Sequence, residues 1–369
     1  MTGPDARRPI RVGMVGSGFM AQQHSAGYRL LANLLGDAVP SVDLVRIAGG
    51  RHVHQAARRY GWADSSDDTR AVTEADDIDV VDIVTPNDSH ADLTLSAAAH
   101  GKHVVCEKPL ARDHAEAQSM LAAVRAAGVH ATVCFVYRTW PATVTAKAII
   151  DSGRLGQIHG YRGRFLHDHV NDPVADQGWR VDPARAGSGV IGDIGSHALD
   201  LARYLVGDLA EILCFTRGLP GTPIDQEADL LVRFASGASG HIWLSWLVTG
   251  TPMDIGFEVL GDRGAIRFSW ARQSELALYD ADAPDTERGF TVIPLGPTHP
   301  AAAPYLPVAG IGMSYQTAFV PLLGTFLSGI ERPDDPIAST FHDGVLNSRW
   351  LDAALTATTT GTWQKLGED

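Results

Sequence analysis

The chain is poor in cysteine, with three among 369 residues. Cys106, Cys134 and Cys214 stand far apart inside apolar runs. An odd, unspaced set excludes a disulfide framework and predicts buried thiols in a reducing cytoplasm. Positive charge is also scarce: Lys and Arg total 30 against 43 Asp and Glu, a formal net charge of -13. With no long basic run, neither nucleic acid nor an anionic membrane surface is an expected partner. No run of about 20 apolar residues is present to span a bilayer. Arg7 and Arg8 precede an apolar run as in an export signal, but Gly13, Gly16 and Gly18 interrupt that run, and a nucleotide-binding turn explains it better. Internal repeats are absent.

What is present fits an ordinary globular chain, 45% apolar and 20% charged. Its length exceeds what one core usually supports, so two domains are expected, residues 1–138 and 139–369. In the first, apolar runs at Ile10 to Val15, Val42 to Ala48, Asp79 to Thr85, Lys102 to Glu107 and Ala131 to Val136 alternate with helical patterns. Near-continuous apolar strands separated by helices predict an α/β domain with a doubly wound parallel sheet. Helices are expected over Gln22 to Leu35, Ala91 to His100 and Ala115 to Ala127, with Gly101 and Gly128 as C-caps.

Beyond about residue 140 the pattern changes. After a helix at Pro141 to Ser152, strands are expected at Ile158 to Val170, Glu227 to Phe234, His241 to Val248, Ile255 to Leu260, Ala265 to Ser269 and Glu275 to Tyr279. Turns such as Gly261-Asp262-Arg263-Gly264 favour a mostly antiparallel sheet in an α+β domain. Residues 281–313 read as a long irregular loop, and Phe341 to Thr358 as helix.

The run Ile10 to Val15 leads into Gly16-Ser17-Gly18-Phe19-Met20-Ala21, the GxGxxG/A pattern between a strand and a helix. Gly16 makes the tight turn, Gly18 lets a pyrophosphate approach the backbone, and Ala21 keeps helix and strand close. Amides at the helix start then meet the negative charge. Where a ribose-binding carboxylate would end the second strand, the chain has Gly49-Gly50-Arg51, which admits a 2′-phosphate and favours NADP over NAD. Thr85-Pro86-Asn87, with His90 just after, and Glu107-Lys108-Pro109 end two further strands and should border the cofactor. Asp193 and His197 sit one turn apart in Gly192-Asp193-Ile194-Gly195-Ser196-His197.

Each of these residues alone has a plain structural reading, as cap, core histidine or surface lysine. As an ordered set, Gly16-x-Gly18-x-x-Ala21, Thr85-Pro86-Asn87, Glu107-Lys108-Pro109 and Asp193-x-x-x-His197, with Trp179-Arg180 between the last two, they closely resemble the Gfo/Idh/MocA family of oxidoreductases. The family includes inositol and related sugar dehydrogenases.

The resemblance implies a Rossmann domain followed by an open-faced sheet that pairs copies into homodimers or homotetramers. It also implies that Lys108 and His197, assisted by Asp193, handle the proton that accompanies hydride transfer, and that the bond before Pro109 is cis. The residues themselves agree. His197 is the natural general base, Lys108 can stabilise charge on the same oxygen, and Asp193 either orients the imidazole or contacts a hydroxyl.

Tyr137, Arg138, His167, Asp168, His169, Trp179 and Arg180 complete the candidate substrate residues. His167 and His169 share a strand face, but no partners at zinc-type spacing accompany them, so no metal is expected. The expected activity is a cytoplasmic NAD- or NADP-dependent dehydrogenase of a cyclitol or sugar carbinol. Two alternatives within the family are a nonredox enzyme that uses bound NAD transiently and a noncatalytic dinucleotide-binding regulator.

Overall fold

The computed structural model describes residues 8–168, 178–333, 335 and 338–367. His169 lies outside the described residues. The chain packs as two compact units: residues 1–111, 115–136 and 314–344 form the first, and residues 112–114, 137–313 and 345–369 the second. The segment Ser314–Gly344 is thus remote in sequence from the unit it joins.

The first unit is a six-stranded parallel sheet of β1 (Ile10–Val15), β2 (Val42–Ala48), β3 (Asp64–Ser66), β4 (Val80–Ile83), β5 (His103–Cys106) and β6 (Ala131–Val133), in the order β3-β2-β1-β4-β5-β6. This is the doubly wound order that reverses between β1 and β4 and opens a crevice at the strands' carboxyl ends. Strands β4 and β6 are buried along their whole length, as a sheet covered on both faces requires. The polar strand β3 is an addition to the expected set; it pairs with the end of β2 through Arg46, Ile47 and Ala48.

Helix Phe19–Leu35 buries Ala21, His24, Ser25, Tyr28 and Leu31, the three- and four-residue spacing of one helical stripe. Against it packs helix Phe319–Glu331, which its own sequence pattern does not announce. A side chain at Gly27 would meet the Phe319 Cβ at 2.9 Å, and one at Gly324 would meet Leu35 at 2.8 Å. Glycine on each helix allows the close approach. Phe319, Leu322, Leu323, Phe326 and Leu327 are fully buried, each contributing about 2 kcal/mol of burial.

The second unit holds a nine-stranded mixed sheet. Its strands are β7 (Ile158–Leu166), β8 (Leu209–Arg217), β9 (Glu227–Phe234), β10 (Ser239–Ser245), β11 (Asp254–Gly261), β12 (Gly264–Ser269), β13 (Glu275–Asp280), β14 (Phe290–Pro294) and β15 (Gln364–Lys365), ordered β14-β13-β12-β11-β7-β10-β9-β8-β15. Pairing is antiparallel except between β7 and β10, which run parallel because the chain leaves β7 through helix Ser196–Val206 before it returns. Strand β7 ends at Leu166, short of the expected Val170. Strands β8, β14 and β15 are additions, and β14 lies inside 281–313, which is therefore not irregular throughout. Strand β9 alternates buried and exposed residues, so this part of the sheet has one covered face and one open face. Among the described residues no helix is long and apolar enough to cross a membrane, and all three cysteines are free and buried.

Candidate active site

In the first unit the candidate residues gather at the carboxyl ends of the strands. Gly16 has φ +113°, and a Cβ there would lie 2.9 Å from the Val84 carbonyl oxygen, so both conformation and neighbour demand glycine. Gly18 differs: it has ordinary φ, and a Cβ would find nothing of the protein within 4 Å. The space above Gly18 is therefore open to a ligand. Gly18 also caps helix Phe19–Leu35, whose first turn has neither a side-chain cap nor an acidic residue. Its first amides keep their pull for an anion. Ala21 is fully buried, whereas Phe19 is 64% exposed and stacks on Tyr315 at 6.3 Å. Met20 is half-buried.

The Gly49-Gly50-Arg51 turn closes on the glycine turn, for the Ser17 hydroxyl donates to the Arg51 carbonyl at 3.0 Å. A Cβ on Gly50 would strike the Ser17 Oγ at 2.5 Å. Beyond β4, the Ser89 hydroxyl donates to the Thr85 Oγ1 at 2.6 Å and the Pro86 carbonyl at 3.0 Å, and Asn87 is buried. His90 turns inward. Its Nδ1 lies 3.1 Å from the Pro109 carbonyl and its Nε2 3.1 Å from the Thr85 carbonyl, so it ties the two strand-end loops together. Burial pushes its pKa down. Lys108 follows β5 and is half-buried, and the Lys108–Pro109 bond is cis.

Glu107 also points inward. Its Oε1 lies 3.0 Å from the Nε2 of His24, whose Nδ1 lies 2.9 and 3.1 Å from the two oxygens of Asp82. Burial opposes charge on this fully buried imidazole, yet Asp82 beside it raises its pKa well above the ordinary value. Glu107 is held below the usual carboxylate range by the His24 hydrogen bond, against its own burial. His24, Glu107 and Cys134 form a compact group whose donor atoms lie within 4.8 Å of one another. Burial pushes the Cys134 thiol up to about 12, which disfavours the thiolate a metal would need. His24 and Asp82 were not among the sequence candidates, although an aspartate within Val80-Val81-Asp82-Ile83 is a charge in a buried strand.

In the second unit, His197 is the second residue of helix Ser196–Val206 and is 5% exposed. The preceding turn, Ile191–Gly195, is π-helical, so Asp193 belongs to a widened turn rather than to the regular helix its spacing suggests. Asp225 anchors this turn by accepting from the amides of Gly189 at 2.7 Å and Ile191 at 2.8 Å. The Asn347 side chain donates to the Ser196 carbonyl at 2.9 Å.

Tyr137 stands against His197 and also edge-on to Phe165 and Trp270, each at 5.6 Å. Arg138, expected near substrate, makes a buried bidentate ion pair with Asp200. Arg180 lies over the Trp179 ring at 4.9 Å with its Nε 3.8 Å from the Asp193 Oδ1. His167 sits just past β7 and stacks on Trp246 at 6.1 Å. The Asp168 carboxylate accepts from the Gly250 amide at 3.0 Å.

Known proteins match this arrangement along nearly its whole length. Residues 10–135 match the family model described as "Oxidoreductase family, NAD-binding Rossmann fold", and residues 143–267 the model of the GFO/IDH/MocA C-terminal domain. Levoglucosan dehydrogenase of Pseudarthrobacter phenanthrenivorans is 33% identical over 96% of this chain and 97% of its own length. The NAD(+)-dependent scyllo-inositol 2-dehydrogenase of Bacillus subtilis is 31% identical over 73% of this chain and 77% of its own. A solved levoglucosan dehydrogenase in complex with NADH and levoglucosan has 32% identity and a TM-score of 0.94, covering 98% of this chain and 100% of that one.

Proposed function

The chain belongs to the Gfo/Idh/MocA family of NAD-binding oxidoreductases, and from that premise we propose that it oxidises a secondary carbinol of a cyclic sugar or cyclitol to the ketone. An anhydro-sugar of the levoglucosan kind is the first substrate to try, since the relative of that name aligns over nearly both whole chains. The observation that carries the reading is the placement of Lys108 at the same carboxyl end of the sheet as the glycine turn, with only β4 between their strands.

Gly16, Gly18 and the first amides of helix Phe19–Leu35 would hold the pyrophosphate, with Thr85, Pro86 and Asn87 bordering it. Bound NAD or NADP supplies the hydride acceptor. His197 takes the hydroxyl proton as the carbon gives up hydride, and Lys108 donates a hydrogen bond to the same oxygen as it becomes a carbonyl. Asp193, with Arg180 beside it, binds a second hydroxyl of the ring. The rings of Tyr137 and Trp270 offer apolar faces for the sugar's C–H groups.

The finer choice between the two dinucleotides rests on Arg51, which is exposed beside the Ser17 hydroxyl. The glycines before it leave room for a 2′-phosphate. Copies are expected to pair through the open face of the second unit's sheet, where Phe215 and Leu231 are 56% and 38% exposed. A cytoplasmic location is in keeping with three free thiols. The test is an absorbance assay of nicotinamide reduction with anhydro-sugars, inositols and aldoses, each offered NAD and NADP separately. Reduction with at least one cyclic polyol supports the reading; silence across the panel in both directions overturns it.

A further inference from the structure

One buried ionisable cluster of the first unit takes no direct part in the chemistry proposed above. Helix Phe19–Leu35, whose first turn faces the open space above Gly18, carries His24 on its buried stripe. His24 is fully buried, and both of its ring nitrogens face carboxylates, Asp82 at 2.9 Å and Glu107 at 3.0 Å. An imidazole nitrogen that faces an ionised carboxylate donates, so between two ionised carboxylates this ring uses both nitrogens as donors. The second Glu107 oxygen accepts from the backbone amide of Lys108 at 3.0 Å. An unbroken hydrogen-bonded path therefore runs from the dinucleotide helix through His24 and Glu107 to the main chain of the residue that bears the amine.

We propose that His24 is a positioning residue for hydride transfer: through Glu107 it fixes the backbone of Lys108 relative to the helix that seats the dinucleotide, and so sets the direction of the lysine side chain. The inference rests on the role proposed for Lys108. Three physical points support it. Position at the reacting oxygen is worth much in rate, because a shift of about 1 Å costs about a hundredfold. Charge-assisted hydrogen bonds are short and directional, and buried ones do not exchange readily with water. Burial would drive an isolated imidazole towards its neutral form, whereas the facing Asp82 keeps it charged.

The two amide substitutions separate this role from plain stability. The Asn amide reproduces the Nδ1 position and can keep the Asp82 bond while losing Glu107. The Gln amide reproduces the Nε2 position and can keep the Glu107 bond while losing Asp82. Each removes one bond and the charge, so a merely structural role treats them alike. The expected result is that His24→Asn lowers kcat about tenfold or more, with dinucleotide Kd and substrate KM within about threefold, while His24→Gln retains most of kcat.

Equal kcat for the two variants, low or high, overturns the proposal, as does a loss confined to Kd. Should His24→Asn not fold, nitrogen NMR of the wild-type imidazole decides: two protonated ring nitrogens at neutral pH support the path, and an unprotonated Nε2 breaks it. Stoichiometric zinc in the purified protein would replace the path by a metal bridge through His24, Glu107 and Cys134 and likewise overturn it. A Lys108→Ala control keeps the two readings apart. If it retains turnover, the role of Lys108 is lost; if it is inactive and the His24 variants behave alike, only the positioning inference fails.

Discussion

The ring of Tyr137 stands edge-on against the imidazole of His197, with centroids 4.7 Å apart and planes at 80°. Phe165 closes on the same imidazole at 6.1 Å, so aromatic walls set the plane of the His197 ring. The contact needs the Tyr137 ring and not its hydroxyl. Tyr137→Phe should keep kcat within a few-fold, whereas Tyr137→Ala, which frees the imidazole, should lower kcat about tenfold. Steady-state kinetics at saturating sugar checks this, and equal loss in both variants would give the hydroxyl the leading part.

The two turn glycines should respond differently. Gly16 is required by its own backbone and by the Val84 carbonyl, so Gly16→Ala should lower the melting temperature as well as dinucleotide affinity. Gly18 has open space on its Cα. Gly18→Val should leave the melting temperature nearly unchanged and weaken dinucleotide binding about a hundredfold by occupying the pyrophosphate's place. Calorimetric titration beside a thermal melt tests the pair. Unaltered affinity in the valine variant would count against the nucleotide site.

Lys108→Ala and His197→Ala should each reduce turnover by at least about a hundredfold while the dinucleotide Kd stays within a few-fold, the pattern of lost proton-transfer groups. Tryptophan fluorescence on titration with the dinucleotide reads the second quantity. Turnover kept in either variant would remove that residue from the chemistry.

Stability should fall on mild acidification in part through His103. Burial, reinforced by His130, pushes His103 down to about 4, and the His130 amide donates to its Nδ1 at 3.0 Å, which only the unprotonated nitrogen can accept. The folded value lies below the ordinary one of 6.5, so protons favour the unfolded chain. The contribution is complete above the ordinary value and is lost as pH falls towards the folded one. Thermal melts should show a decline over that window that is shallower in His103→Gln. Parallel declines would assign the acid sensitivity elsewhere.

The sheet of the first unit could be read from sequence wherever burial on both faces enforces an apolar run, as in Val80–Ile83 and His103–Cys106. Strand β3 could not, because Asp64, Ser65 and Ser66 join through the backbone and carry no apolar pattern. Helix Phe319–Glu331 contains Pro321, Gly324 and Gly329, which act as breakers in isolation. In the fold, Pro321 occupies the first turn and Gly324 allows Leu35 to approach.

For the site, the glycine turn and Glu107-Lys108-Pro109, named from the sequence, lie at the carboxyl ends of β1 and β5, where a parallel sheet puts its strand-end loops. What escaped was tertiary. Asp82 and Glu107 lie 58 and 83 residues from His24, and only folding shows that they share one imidazole. The pairing of Arg138 with Asp200, 62 residues away, was hidden for the same reason.

Hydride transfer from a sugar carbon is tested most directly by isotope tracing. A sugar that reduces the dinucleotide is prepared with deuterium on the reacting carbinol carbon, and the reduced dinucleotide is analysed by mass spectrometry. One deuterium per reduced nicotinamide, with one ketone formed for each, is the expected result. Sugar consumed while the dinucleotide is returned oxidised and unlabelled would contradict the account and leave a nonredox reaction in its place.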